Sequence, residues 1–217
     1  MIVVAGPPGS GKSSRFPLPA FGVEWFNADN RAAELNSGSF RKISNEIRAQ
    51  VNVEFQRWIL DHITTRKSFA LETTLRSPIT FEQSRLAQEH GFWTSMDYVT
   101  AGSVEESIQR IIERSYRGGH SASERLVRGI YEKSTKNLFT ALDFGESAIE
   151  VVRVYDNSEV GGHVKQLLTF RRGRPRSIAS ETPLWLESLL KGSKFEVATL
   201  REAVKPRPRA NDRSRER

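Results

Sequence analysis

Cysteine is absent from the 217 residues. That excludes disulfides, zinc–thiolate sites and thiol nucleophiles, and it suits a cytoplasmic setting. Long apolar runs are absent too. No stretch approaches the ~20 residues that span a bilayer, so no membrane contact is expected. Histidine is scarce, at four residues, and these are too scattered to suggest a metal site. The chain enters directly on a strand-like segment, so no cleavable signal is expected. Internal repeats are missing. Most of the chain also lacks any charge imbalance. The net charge of +7 belongs to residues 171–217, with 13 Lys and Arg against 6 Asp and Glu, while residues 1–170 hold 20 of each. The basic surplus argues at most for non-specific contact between the tail and nucleic acid.

The strongest positive signal is at the start. An apolar run, Met1–Ala5, leads into Gly6-Pro7-Pro8-Gly9-Ser10-Gly11-Lys12-Ser13. This is G-x-x-x-x-G-K-S, the phosphate-binding P-loop, with a strand before it and a helix after it. Glycines let the backbone wrap an anion with its N–H groups uncovered. Lys12 brings a point charge to the β- and γ-phosphates. Ser13 offers a hydroxyl to Mg²⁺, and Ser14 follows at the helix start. The expected ligands are therefore ATP and Mg²⁺. The competing reading is an ordinary Gly/Pro turn.

Hydrophobic patterning predicts strands at 2–5, 23–26, 68–71, 92–99 and 148–155. It predicts helices at 43–65, 78–90, 103–117 and 124–142. Pro17 and Pro19 should stop the first helix early. Strands alternating with helices give an α/β fold, a P-loop NTPase-type doubly wound parallel sheet of about five strands covered on both faces. Residues 1–170 form the expected domain, with a lid at about 114–124. Residues 171–217 form a basic extension: a linker at 171–176, a short docked helix at 183–190, and a disordered tail from 205.

Polar clusters fall just past strand ends, where ligands bind in such sheets. Asp29 follows the second strand and is the candidate general base for an attacking hydroxyl; it also reads as a helix N-cap. Glu72 closes the third strand as a substrate-binding acid or a solvated charge. Thr73 and Thr74 either bond substrate or shape a turn. Arg110, Arg114 and Arg117 share one helix face and precede Gly118-Gly119-His120, with Arg125 and Arg128 beyond. Guanidinium groups on a hinged lid would stabilise charge on a transferring phosphoryl group; the alternative is a solvated face paired with Glu105, Glu106 and Glu113. His120 is either a hinge residue or a substrate contact. Asn157, in Asp156-Asn157-Ser158, either approaches the nucleotide base or forms an Asx turn.

Together these residues resemble the zeta-toxin family of P-loop kinases over roughly residues 2–170. The resemblance rests on residues 6–13, Asn27-Ala28-Asp29, Glu72-Thr73-Thr74-Leu75, Arg110 through Gly118-Gly119-His120, Tyr131 to Ser134 with Asn137-Leu138, and Asp156-Asn157-Ser158. Ser123 stands where the family motif carries proline. The resemblance implies a kinase moving the γ-phosphate of ATP to a hydroxyl. In the best-known members this is the 3′-hydroxyl of UDP-N-acetylglucosamine, and an antitoxin protein is a common partner. It implies Asp29 as base, Glu72 as substrate-binding acid, and Arg110 and Arg114 as lid arginines. Two further readings stand beside it: a polynucleotide or RNA-end kinase, and a nucleotide-binding switch controlling a partner.

Overall fold

A computed structural model describes residues 1–116, 122–159 and 162–205. The strands are β1 (Ile2–Ala5), β2 (Glu24–Phe26), β3 (Phe69–Thr73), β4 (Ser95–Thr100), β5 (Val151–Asp156), β6 (Lys165–Arg171) and β7 (Arg174–Ile178). The helices are α1 (Lys12–Arg15), α2 (Ala28–Leu35), α3 (Asn45–Thr64), α4 (Ile79–Glu89), α5 (Val104–Tyr116), α6 (Glu124–Leu142), α7 (Phe144–Ser147), α8 (Leu184–Leu190) and α9 (Val197–Val204). None of the described helices is long and apolar enough to cross a membrane.

The strands form one sheet in the order β2-β3-β1-β4-β5-β6-β7. The first five run parallel, while β6 and β7 are antiparallel. The sheet thus has seven strands rather than five. The expected linker at 171–176 is the turn of the β6–β7 hairpin together with the start of β7. Basic residues and Pro175 suit β7 because it is an edge strand, where a missing N–H is tolerated and charge discourages further pairing. The helix expected at 183–190 is α8.

The two faces of the sheet are covered by different amounts of apolar packing. Val3, Leu71, Met96, Val152 and Phe170 point to one face, where they pack against Ile63 of α3, Phe81 of α4, Leu138 of α6, Leu186 of α8 and Leu200 of α9. Each such fully buried side chain contributes about 1.5–3 kcal/mol. On the opposite face Val4 and Ala70 cluster with Leu18, and Ile2, Phe16, Phe21 and Val23 pack against them. Proline explains the asymmetry. Pro17 and Pro19 prevent α1 from extending past Arg15, and a short 3-10 turn, Leu18–Phe21, takes its place.

The strand order brings the carboxyl end of β1 between those of β3 and β4. The P-loop therefore lies beside Thr73 on one side and the turn after Thr100 on the other.

Candidate active site

The P-loop is packed tightly enough to need its glycines. Gly9 has φ 75° and Gly11 has φ 89°, backbone that favours glycine. A Cβ at Gly9 would stand 2.5 Å from the Ser107 carbonyl oxygen, and one at Gly11 would stand 2.2 Å from Nδ2 of Asn157. The loop is thus held between α5 and the turn after β5. Pro7 and Pro8 shape its first half, and Ser10 is fully buried within it.

Lys12 is 6% exposed. Its Nζ donates to the Gly6 and Pro7 carbonyls, each at 2.9 Å, and lies 3.9 Å from Oε1 of Glu72. Burial pushes the Lys12 pKa down, the carboxylates of Glu72 and Asp29 push it back up, and Arg114 pushes it down again. One desolvated ammonium therefore feels three charges from three other elements: the end of β3, the start of α2, and α5. All three residues belong to the candidate site read from the sequence.

Ser13 donates to Oε2 of Glu72 at 2.8 Å. Among the described residues no cluster of three or more His, Asp or Glu could hold a metal ion. A cation here would be shared by the Ser13 hydroxyl, the Glu72 carboxylate and phosphate oxygens, which is how Mg²⁺ is commonly bound. The glycine cradle, the buried ammonium and this hydroxyl–carboxylate pair together suit a magnesium–nucleotide.

Asp29 lies on the first turn of α2, but the cap is Asn27. The Asn27 Oδ1 accepts from the N–H groups of Asp29 and Asn30, each at 3.0 Å. Reading Asp29 as the N-cap is therefore corrected: Asn27 already satisfies those donors, one position before the helix. Asp29 is exposed and within electrostatic reach of Lys12.

Asn157 packs against the P-loop. It is 6% exposed. Its Nδ2 donates to the Ser10 carbonyl at 2.9 Å, and its Oδ1 accepts from Nε of Arg15 at 3.1 Å. The amide is engaged on the protein side of the loop, so Asn157 braces the P-loop. Asp156 makes the Asx turn, accepting from the Ser158 N–H at 3.1 Å.

Thr73 shapes a turn: its hydroxyl accepts from the Leu75 N–H at 3.1 Å. Thr74 is half-buried beside it. The two arginines of α5 separate. Arg114 is within electrostatic reach of Lys12, whereas Arg110 donates through Nη2 to the Ser158 carbonyl at 3.1 Å and ties α5 to the turn after β5. Arg128 pairs with Glu105 at 2.9 Å and Glu124 at 2.7 Å, as a solvated face does. The expected hinge, Arg117 with Gly118-Gly119 and His120, lies outside the described residues. Ser123 caps α6 through its hydroxyl, which accepts from the Leu126 N–H at 3.4 Å.

Sequence reasoning missed Arg15 and Ser107. Arg15 sits one helical turn after Lys12, but nothing local names its partner, Asn157. Ser107 acts through its backbone carbonyl against Gly9, which no side-chain pattern reveals.

No protein-family model matches the chain. An uncharacterized protein of Haemophilus influenzae is 28% identical over 131 residues, covering 60% of this chain and 91% of that protein. A chain of the AvrRxo1-ORF1:AvrRxo1-ORF2 complex, solved with sulphate ions, is similar in structure with a TM-score of 0.63 at 16% identity. The match covers 94% of this chain and 74% of that one. A chain of the PezAT chromosomal toxin–antitoxin system of Streptococcus pneumoniae has a TM-score of 0.53 at 12% identity, covering 95% of this chain and 88% of that one. The fold is P-loop NTPase-like. At these identities the likeness speaks for the fold, and the chemistry rests on the residues around Lys12.

Proposed function

We propose that the chain is an ATP-dependent kinase that transfers the γ-phosphate to a hydroxyl of a small-molecule acceptor. One observation carries this reading: the Glu72 carboxylate lies 3.9 Å from the buried Lys12 ammonium and accepts from the Ser13 hydroxyl at 2.8 Å, while Asp29 and Arg114, from two further elements, lie within electrostatic reach of Lys12. A phosphate cradle alone needs none of them. A phosphoryl transferase uses a carboxylate for the acceptor proton and a cation for the developing phosphoryl charge.

In this reading, Gly6 to Gly11 with Lys12, Ser13 and Ser14 hold the triphosphate. Ser13 and Glu72 would hold Mg²⁺, which would neutralise phosphate charge. Asp29 accepts the proton as the acceptor oxygen bonds to the γ-phosphorus and the bond to the bridging oxygen breaks, releasing ADP. Arg114 stabilises charge on the transferring group, and Arg110 keeps α5 in place. Glu72, Thr73 and Thr74 border the acceptor side. The resemblance to zeta-toxin kinases supports the 3′-hydroxyl of a UDP-N-acetyl amino sugar as the acceptor, and a cytoplasmic protein. Both solved relatives were studied in two-component systems, one of them a toxin–antitoxin pair, which supports an antitoxin-type partner.

The test is a transfer screen with Mg²⁺ and γ-labelled ATP against UDP-sugars, free sugars, nucleosides and RNA ends. Label is expected on a UDP-sugar. Asp29→Asn should keep ATP binding and lose at least ~10²-fold in transfer, while Lys12→Ala should lose ATP binding itself. Undiminished transfer by Asp29→Asn would remove Asp29 as the base. ATP binding with transfer to nothing would favour the switch reading, and transfer to RNA ends the polynucleotide one.

A further inference from the structure

Over β4 to β6 the core takes Met96, Val152, Val154, Leu168 and Phe170, so strand alternation turns Asp97, Arg153, Thr169 and Arg171 to the other face of the sheet. Register adds Ser177, opposite Thr169, and Arg174, opposite Arg171. The apolar cluster on that face reaches as far as Phe16, whose ring lies 4.7 Å from that of Tyr155 on β5. Beyond it Arg171, Arg174 and Ser177 are exposed. The result is an open half-sheet of arginines and hydroxyl groups.

Its charge is left over after pairing. Asp97 is buried and bonded to Arg153 at 3.0 Å. At the turn of the β6–β7 hairpin Arg172 is taken up by Glu150, with Nε donating to Oε1 at 2.9 Å. Among the described residues no acid pairs with Arg171 or Arg174, although register sets the two directly opposite each other, where like charges repel. Trp93, just before β4, completes the patch. It is 50% exposed, and the Arg171 guanidinium stands 5.3 Å from its ring centroid. A cation–π pair left half open to solvent offers a flat surface to a further ring.

We propose that this patch binds single-stranded nucleic acid, with a base extending the Trp93–Arg171 stack and backbone phosphates at Arg171 and Arg174. Flat π-surface, unpaired guanidinium groups and hydroxyl groups on an open sheet suit a strand whose bases are free to stack. A duplex keeps its bases inside and leaves Trp93 idle, and an acidic peptide would use the arginines alone. The patch lies at the amino-terminal ends of β4 and β5, the opposite end of the sheet from the P-loop. It is therefore separate from the acceptor site and independent of the kinase reading.

The test is fluorescence polarisation of a labelled single strand of about twelve nucleotides, the scale of known single-strand sites, titrated with the full chain. The strand should bind at least ~tenfold more tightly than the same sequence as a duplex. Trp93→Ala should weaken binding at least ~tenfold, the scale of one lost base–aromatic stack, and Trp93→Phe should keep most of it. Arg171→Gln combined with Arg174→Gln should lower the slope of log affinity against log salt by about 1.4, at ~0.7 for each phosphate contact. All three residues are exposed, so folding should survive, as circular dichroism will check, and the arginine pair reads the site independently of Trp93. The loss in Trp93→Ala should persist when the tail arginines Arg207, Arg209, Arg213, Arg215 and Arg217 are all replaced by Gln. Filling the P-loop with Mg²⁺ and a non-hydrolysable ATP analogue should leave affinity unchanged. Undiminished binding by both the Trp93→Ala and the arginine variants would overturn the proposal. So would a duplex bound as tightly as the single strand, loss of all binding with the tail arginines, or competition by the ATP analogue.

Discussion

The hydroxyl of Ser13 donates to Oε2 of Glu72 at 2.8 Å, and Oε1 of the same carboxylate lies 3.9 Å from the Lys12 ammonium. Glu72 therefore reaches both Lys12 and Ser13 of the P-loop. Glu72→Gln keeps the shape and removes the charge. It should raise the Mg²⁺ concentration needed for half-maximal activity by about 10–100-fold, the range for residues that support a metal. A magnesium titration reads this directly, and an unchanged requirement would assign Glu72 to the acceptor alone.

Arg114 and Arg110 should respond differently although they sit one turn apart. Arg114→Ala is expected to lower turnover by ~10²–10³-fold while ATP affinity stays near wild type, the pattern of a contact made in the transition state. Arg110→Ala loses the bond to the Ser158 carbonyl, worth about 1 kcal/mol, which lowers the melting temperature by about 2–4 °C. Equal losses of turnover and ATP binding in Arg114→Ala would remove its catalytic assignment.

Gly9 and Gly38 make a controlled pair. Both have positive φ, 75° and 80°. A Cβ at Gly38 meets nothing within 4 Å, whereas one at Gly9 meets the Ser107 carbonyl oxygen at 2.5 Å. Gly38→Ala should cost only the left-handed backbone penalty, about 1–2 kcal/mol, and keep nucleotide binding. Gly9→Ala must also shift α5 or the loop, so triphosphate affinity should fall steeply. Chemical unfolding and nucleotide titration on both variants separate the two effects.

Asp97 gives a pH signature remote from the P-loop. Burial raises its pKa above the ordinary 3.8, with the Arg153 guanidinium at 3.0 Å opposing the rise. The native state then binds more protons than the unfolded chain from about pH 3.8 up to the native value. Across that window stability falls as pH rises, and above it the slope vanishes. Asp97→Asn should remove the slope, which denaturant unfolding between pH 3.5 and 6 would show. A wild-type contribution that instead rises with pH would mean that Arg153 outweighs burial.

The parallel half of the sheet was legible because its strands are nearly continuous apolar runs. Val3, Val4, Leu71, Met96 and Val99 announce burial without any partner being known. The β6–β7 hairpin was not. Arg171-Arg172-Gly173-Arg174-Pro175-Arg176 carries charge and proline because β7 is an edge, and edge strands lack the pattern that marks interior ones. At the candidate site, Lys12 could be read from the P-loop motif, Asp29 and Glu72 from polar residues just past strand ends, and Arg114 from the arginine spacing along α5. The capping by Asn27, the brace from Asn157 and the pressure of the Ser107 carbonyl on Gly9 depend on tertiary contacts that spacing along the chain does not encode.

The brace on the P-loop also fixes an order of events during synthesis. Asn157 lies 147 positions after the Ser10 carbonyl that it holds. A ribosome will have released the entire phosphate-binding motif long before it makes the residue that supports it. Nascent chains stalled before β5 should carry the motif yet fail to retain nucleotide, so the kinase chemistry proposed here would switch on only as the last parallel strand docks.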